Sequence, residues 1–324
     1  MGLELSCAFT TSMATPDYVV AAERLGYTRA WLYDSPALYA DVWMTLAECA
    51  RRTSTIGLGP AVLVPSLRHP ITNAAAIATL VALAPGRVSV AIGSGFTGRY
   101  ALGQKPIRWA DVREYVLAVR GLLAGETVTW EGARITMLHP EGFGAPRPIT
   151  VPMVIGTGGP KGEAVAREIG DGVIASSPTP GFHRCAVLTF GTVLGAGEDA
   201  GSERVMAAAG HAGAVVYHRM WERGGNLDDL PGGRAWADAV EAIDPAERHL
   251  AVHDGHLIAP NTRDAIALTG EVLTRFGFAR TPDSWRSRFE QLEAAGATEI
   301  AYQPAGPDIV GELTRFAEAS GIRA

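Results

Sequence analysis

Four short apolar runs in this chain end abruptly in small or polar residues: Trp31 to Ser35, Ile56 to Val62, Arg87 to Gly95 and Val151 to Pro160. Amphipathic stretches precede or separate them, at Tyr18 to Leu25, Val42 to Arg51 and Ile71 to Leu83. Parallel strands covered on both faces read as near-continuous apolar runs, and strands alternating with helical patterns mark βαβ units. Folds of this kind place their ligands at the C-terminal ends of the strands. The glycine and polar clusters fall at those ends. The layout is enzyme-like.

Followed along the chain, the pattern predicts eight strands: Leu3 to Phe9, Arg29 to Tyr33, Thr55 to Leu58, Val88 to Ile92, Pro152 to Ile155, Gly172 to Ala175, Val187 to Leu194 and Glu299 to Tyr302. Helices are expected after Pro16, from Val42 to Arg51 with Asp41 as cap, and over Trp109 to Leu123, Gly162 to Ile169, Trp285 to Ala295 and Asp308 to Ser320. Thr127 to Thr136 reads as a hairpin turning at Glu131-Gly132, and the Pro- and Gly-rich stretch His139 to Pro152 as loop. Eight strands with one long late excursion favour a (β/α)8 TIM barrel over an open sheet. The expectation is one domain over residues 1–324, with an irregular insertion at about 195–283 that includes helical stretches Glu203 to Trp221 and Thr262 to Phe276.

Bulk properties narrow the function classes. An apolar fraction of 47% and a charged fraction of 19% fit an ordered globule. Net charge is −6 with no lysine or arginine run, which excludes a nucleic-acid footprint. No run of about 18 apolar residues occurs, and Glu4 stands where a signal peptide needs basic residues, so no membrane association and a cytoplasmic location are expected. The three cysteines, Cys7, Cys49 and Cys185, are far apart in apolar contexts and are expected to be reduced, buried and structural.

The strongest local signal is Gly156-Thr157-Gly158-Gly159-Pro160-Lys161, where a strand feeds four small residues and then a proline suited to the first turn of a helix. Unpaired N–H groups and the helix dipole favour an anion there, typically phosphate. The competing reading is a tight turn that needs glycine for its dihedrals. Gly93-Ser94-Gly95-Phe96 is a second glycine-rich strand end, followed in one loop by Arg99, Lys105 and Arg108, a local excess of positive charge. Asp34-Ser35 ends the second strand, where an acid orients a ring, moves a proton or merely caps a helix. Arg68-His69-Pro70 fits either a polar pocket wall or the start of a helix. His249, His253 and His256 have spacings of four and three, but Asp254-Gly255 breaks the helix between the last two. A substrate-pocket role and a structural one both stay open for them, and no metal site is expected.

This ordered set resembles the bacterial luciferase-like superfamily, and within it the deazaflavin-dependent branch typified by methylenetetrahydromethanopterin reductase. The residues that carry the resemblance are Trp31 to Asp34, Leu58 to Pro65 with Arg68-His69-Pro70, Ala84 to Gly95, and Ile155 to Pro160 with Asp171-Gly172. It spans residues 1 to about 180. The resemblance implies a (β/α)8 barrel that binds coenzyme F420, or alternatively FMN, at its mouth. Asp34 and Ser35 would face the tricyclic ring. Ala61 and Val62 would form a cis-peptide bulge behind it. Gly93, Ser94, Gly95 and Phe96, with Gly156, Thr157, Gly158 and Gly159, would take the phosphate and side chain. Many deazaflavin members have Asp-His where this chain has Asp34-Ser35, so that histidine is missing here.

The implied activity is hydride transfer between F420 and a small organic substrate, with Asp34, His69 and His253 as candidate acid/base residues. A reduced-FMN monooxygenase and a non-catalytic flavin-binding protein are the alternatives. A homodimer is expected by family analogy. The Arg99, Lys105 and Arg108 cluster is expected to lie along the acidic tail of F420, which carries more negative charge than FMN.

Overall fold

The structure is a computed structural model and describes residues 2–321. Its first strands are β1 (Glu4–Phe9), β2 (Arg29–Leu32), β3 (Gly57–Pro60), β4 (Val90–Gly93), β5 (Val128–Trp130) and β6 (Ala133–Ile135). These are followed by β7 (Met153–Gly156), β8 (Val173–Ala175), β9 (Cys185–Phe190), β10 (Thr192–Val193), β11 (Ala279–Arg280) and β12 (Glu299–Gln303). Eight of them pair in the order β3-β2-β1-β12-β9-β8-β7-β4, all parallel. The two ends of that row meet. Leu63 donates its N–H to Ala91 O at 2.8 Å and accepts from Gly93 N at 3.0 Å, beside parallel bridges Leu58 to Val88 and Leu63 to Ile92. The sheet is therefore a barrel with helices outside it, as the alternating pattern predicts.

A parallel barrel must fill its lumen, and here one residue dominates it. The inward side chains are mostly small, Ala8, Ala91, Ala186 and Ala301 with Val154 and Ile174, and Trp31 lies fully buried among them. Its indole Nε1 donates to Glu299 Oε1 at 2.7 Å, at the start of β12 and hence toward the N-terminal end of the barrel. The Arg29 guanidinium lies 5.3 Å from the indole centre. Gly59 is required by the same crowding, because a Cβ there would meet Ser89 O at 1.8 Å and the indole at 3.2 Å. Outside the strands, a second and larger apolar layer (Leu5, Leu32, Leu58, Ile92, Ile155 and Ile300 among others) is sealed by the helices.

Several local expectations shift by a few residues. The third strand begins at Gly57 rather than Thr55, since Glu23 Oε1 accepts the N–H groups of Ser54, Thr55 and Ile56 and holds that segment in a turn. The stretch Val187 to Leu194 is two strands, not one. It breaks at Gly191, whose φ of 118° and close approach to Phe278 O exclude a side chain, and β10 then pairs with β11 instead of extending the barrel. Thr262 to Phe276 forms two short helices, Asp264–Ala267 and Gly270–Arg275, because Thr269 caps the second through Val272 N. Glu131 and Gly132 turn the β5–β6 hairpin with φ of 49° and 79°, the positive pair a two-residue hairpin loop requires. The Asp41 cap is present, accepting from Trp43 N and Met44 N. All three cysteines are buried and free.

Between β9 and β12 runs the excursion. Its helices, led by Glu203–Glu222, Gly233–Glu241 and Arg248–His253, bury a core of their own around Tyr217, Trp236, Val240, Val252 and Val272. It is pinned to the barrel mouth at one point. Tyr39 Oη donates to His256 O at 2.5 Å, and Gln303 Nε2 donates to Leu257 O at 2.8 Å. Leu257 has φ of 60°, a conformation bulky residues avoid, and its side chain packs with the lumen cluster. No helix among the described residues is long and apolar enough to cross a membrane.

Replacing Trp31 by alanine is expected to cost about 3–5 kcal/mol, the range for emptying a buried aromatic site. Urea unfolding monitored by circular dichroism measures it. A midpoint equal to wild type would show that the lumen closes without the indole.

Candidate functional site

The C-terminal ends of the strands surround a cavity of about 690 Å³. Its wall includes every residue expected to meet a cofactor: Asp34, Ser35, Ala61, Val62, Gly93 to Phe96 and Gly156 to Gly159. The Ala61–Val62 peptide is cis. The glycines in this set divide into two kinds. Gly93 and Gly156 are register partners on β4 and β7, and a Cβ on either would meet Val62, at 3.0 and 2.4 Å. Their lack of side chains makes room for Val62. Gly158 and Gly159 are different, because a Cβ on either would meet nothing within 4 Å. They form an open cradle facing the cavity.

Behind the cradle starts the helix Pro160–Ile169, with no side chain capping its N-terminus. Its first free N–H groups and dipole therefore face the cavity wall, and Lys161 lines the same wall. Gly162 is fixed by packing, since a Cβ would fall 2.5 Å from Trp109. Both readings of this segment hold, each for different residues: an anion cradle at Gly158 and Gly159, a packing requirement at Gly156 and Gly162.

Asp34 lies at the cavity edge and is almost fully buried. Its Oδ2 accepts from Arg68 Nη1 at 2.5 Å, and Arg68 also donates to Asp41 Oδ2 at 2.8 Å. Burial raises the Asp34 pKa, and the Arg68 charge works against that rise. Arg68 is held in turn by a buried polar chain. Trp43 Nε1 donates to Asn73 Oδ1, Asn73 Nδ2 to Tyr115 Oη, and Tyr115 Oη to Arg68 O.

Three sequence expectations need correction. His69 does not line the cavity: its Nδ1 accepts from Ile71 N at 3.2 Å and caps the helix Pro70–Leu83, while its ring packs edge-on against Trp130. His253 is also set back. It is buried in the excursion, with Nδ1 on His249 O at 2.9 Å and Nε2 at 2.8 Å from Glu222 Oε1, an ion-pair approach off the hydrogen-bond axis. The Arg99, Lys105 and Arg108 cluster does not face the cavity. Arg99 holds its own loop through Lys105 O and Ser66 Oγ, and Arg108 is paired with Asp111. The cations on the wall are Lys161, Arg219 and Arg223, and neither arginine has a carboxylate partner among the described residues.

Where His253 was expected, His256 stands. It lines the cavity, with Nε2 3.2 Å from Thr97 Oγ1 and Nδ1 3.1 Å from His218 Nδ1. His218 Nε2 lies 2.9 Å from Asp264 Oδ1, which also accepts from Trp236 Nε1 at 3.0 Å, while Asp264 Oδ2 accepts from Asn261 N at 3.0 Å. Burial would raise the Asp264 pKa, but the His218, Trp236 and Asn261 donors outweigh it and hold the group below the usual carboxylate range. Burial first, and then the charges of His218, His253 and His211, push His256 well below an ordinary imidazole. The available sequence signal was helical. His211 and His218 lie seven residues apart, on one face of the Glu203–Glu222 helix, with Arg219 and Arg223 one turn apart at its end. No group of three or more His, Cys, Asp or Glu among the described residues is arranged to hold a metal ion.

Fold and cavity together define a class, a TIM-barrel protein with a glycine-cradled ligand site at the mouth of its strands. The family model for luciferase-like monooxygenases matches residues 11–186, and the chain belongs to that family. Among curated relatives, the F420-dependent glucose-6-phosphate dehydrogenase of Kineococcus radiotolerans is 34% identical over 93% of this chain and 89% of its own. The 5,10-methylenetetrahydromethanopterin reductase of Archaeoglobus fulgidus is 28% identical over 90% of each. The solved coenzyme F420-dependent tetrahydromethanopterin reductase from Methanopyrus kandleri shares the fold, with a TM-score of 0.68 at 18% identity over 98% of both chains.

Acid should weaken the folded state in a defined window. His211 has both ring nitrogens buried without partners, and burial pulls its pKa from 6.5 to about 4. The unfolded chain therefore binds protons that folded His211 and His256 refuse, so stability is full above about pH 6.5 and falls as pH drops toward 4. Each such histidine contributes a slope of roughly 1 kcal/mol per pH unit. Unfolding curves from pH 8 to 5 should show His211→Leu with a shallower decline than wild type. Parallel declines would remove His211 as a cause.

Proposed function

We propose that this protein is an oxidoreductase that uses coenzyme F420 to move a hydride to or from a small organic substrate held in the cavity. The observation that carries the reading is the open Gly158–Gly159 cradle before an uncapped helix N-terminus, in a chain whose near-full-length relatives are named for F420. The residues present fit such a group. The cradle and Lys161 suit a phosphate, and Gly93 to Phe96 extend the same wall. Lys161, Arg219 and Arg223 supply positive charge for an acidic tail, the role expected of Arg99, Lys105 and Arg108.

We assign Asp34, Ser35, Ala61 and Val62 to the ring. Asp34 is anchored by Arg68, so it presents a fixed polar edge rather than a mobile one. Val62, Phe190, Leu188 and Leu257 give the wall an apolar surface that excludes water. The deazaflavin, when bound, supplies the hydride chemistry, and the protein supplies placement and proton handling. On the same footing, we take the chain as one barrel domain with the excursion as its insertion, acting as a cytoplasmic homodimer. The dimer rests on family analogy, and a monomeric mass by sedimentation equilibrium would overturn it.

Spectral titration tests the cofactor. F420 should bind more tightly than FMN at low salt, and raised salt should narrow the gap by screening exposed charges. Stronger FMN binding, with oxygen uptake by the reduced-FMN complex, would favour a monooxygenase instead.

Gly158→Val tests the cradle. A side chain there has open space on the protein side, so the barrel should fold with an unchanged melting temperature. F420 affinity should drop at least tenfold, about 1.4 kcal/mol. An unchanged dissociation constant would move the phosphate elsewhere.

A further inference from the structure

The excursion carries a buried row of polar groups that ends at the cavity. In order from inside to cavity, it is Asp264, His218, His256 and Thr97, with separations of 2.9, 3.1 and 3.2 Å. Asp264 accepts three hydrogen bonds and is a carboxylate, which fixes the rest of the row by donor and acceptor logic. His218 must donate from Nε2 to Asp264, so neutral His218 has a bare Nδ1. That nitrogen can only accept, so His256 donates from its Nδ1. His256 Nε2 is then bare on the cavity side, where it accepts from the Thr97 hydroxyl or from a ligand hydroxyl.

We propose that this row is a proton relay, with His256 as the catalytic acid/base and His218 and Asp264 as positioning residues that take over the charge. A proton arriving at His256 Nε2 releases the Nδ1 proton to His218, which becomes an imidazolium paired with Asp264. His256 ends neutral, in its other tautomer. The assignment to hydride transfer rests on the deazaflavin reading above. For oxidation of a carbinol, the carbon gives a hydride, two electrons and one proton, to oxidised deazaflavin. The hydroxyl proton goes to His256 Nε2, and a carbonyl remains. Reduction runs each transfer backwards.

Burial and charge explain why a relay is needed. His256 is held among His211, His218 and His253, with Glu222 beside His253, Tyr39 donating to the His256 carbonyl, and Arg219 and Arg223 on the cavity wall. An imidazolium at His256 itself would sit among other bases and near two cations. Moved to His218, the charge lies 2.9 Å from a carboxylate.

The test reads ring nitrogens directly, by ¹⁵N NMR of histidine-labelled, cofactor-free protein titrated from pH 8 to 5, with His256→Gln used to assign the His256 signals. Neutral protein should show His256 protonated on Nδ1. On acidification His218 should become doubly protonated while His256 switches to the Nε2–H tautomer. Asp264→Asn should lower the pH of that switch by about one unit or more, since the stabilising charge is gone. His256 protonated on Nε2 in the neutral protein, or becoming the imidazolium itself, would overturn the relay. The wild-type titration decides this even if a variant fails to fold. F420 titration of the same samples keeps the two readings apart. Wild-type protein that ignores F420 would sink the oxidoreductase reading and leave the tautomer result standing, whereas the wrong tautomer in F420-binding protein would sink only the relay.

Discussion

One indole organises this barrel. A closed parallel sheet leaves a lumen that must be filled at near-crystalline density, and Trp31 fills it where neighbouring strands contribute alanine and glycine. The hydrogen bond to buried Glu299 directs the ring toward the N-terminal end. The C-terminal half is therefore free of large inward side chains from the strands themselves, and the mouth can remain hollow. Stability and ligand space are separated along one axis by the direction of one side chain.

The mouth is then shaped by groups that no single segment owns. Val62 reaches over both Gly93 and Gly156, so the strand-end glycines and the Ala61–Val62 bend are parts of one fit. The excursion closes the other side. Its Leu257 enters the lumen cluster and its backbone is tied to Tyr39 and Gln303, which sets His256 at the cavity edge. A buried polar row is tolerable only when its members satisfy one another, and the Asp264 to Thr97 row does so.

Relatives of this fold named for F420 and others named as monooxygenases share the barrel. What distinguishes one member from another must lie in the mouth and its cover. In this chain the cover carries the wall arginines and the histidine row, while the strand ends carry the cradle and the Arg68-anchored Asp34. The proposed chemistry divides along that line, with the cofactor held by the barrel and the proton handled by the excursion.

The sequence by itself determined whatever depends on near neighbours along the chain. Strand and helix periodicity, the Asp41 cap, the Glu131-Gly132 hairpin turn and the glycine-rich strand ends follow from local dihedral and burial preferences, and they sufficed for the barrel and for the cofactor wall. The family resemblance added which ligand that wall suits. Tertiary structure alone decided the roles of the ionisable groups. Arg68 meets Asp34 across 34 positions, and Thr97 meets His256 across 159. His69 and His253 looked as eligible as His256, because a histidine's chemistry is set by what closes around it. Ring closure and the docking of the excursion bring those partners together, and no local pattern encodes them.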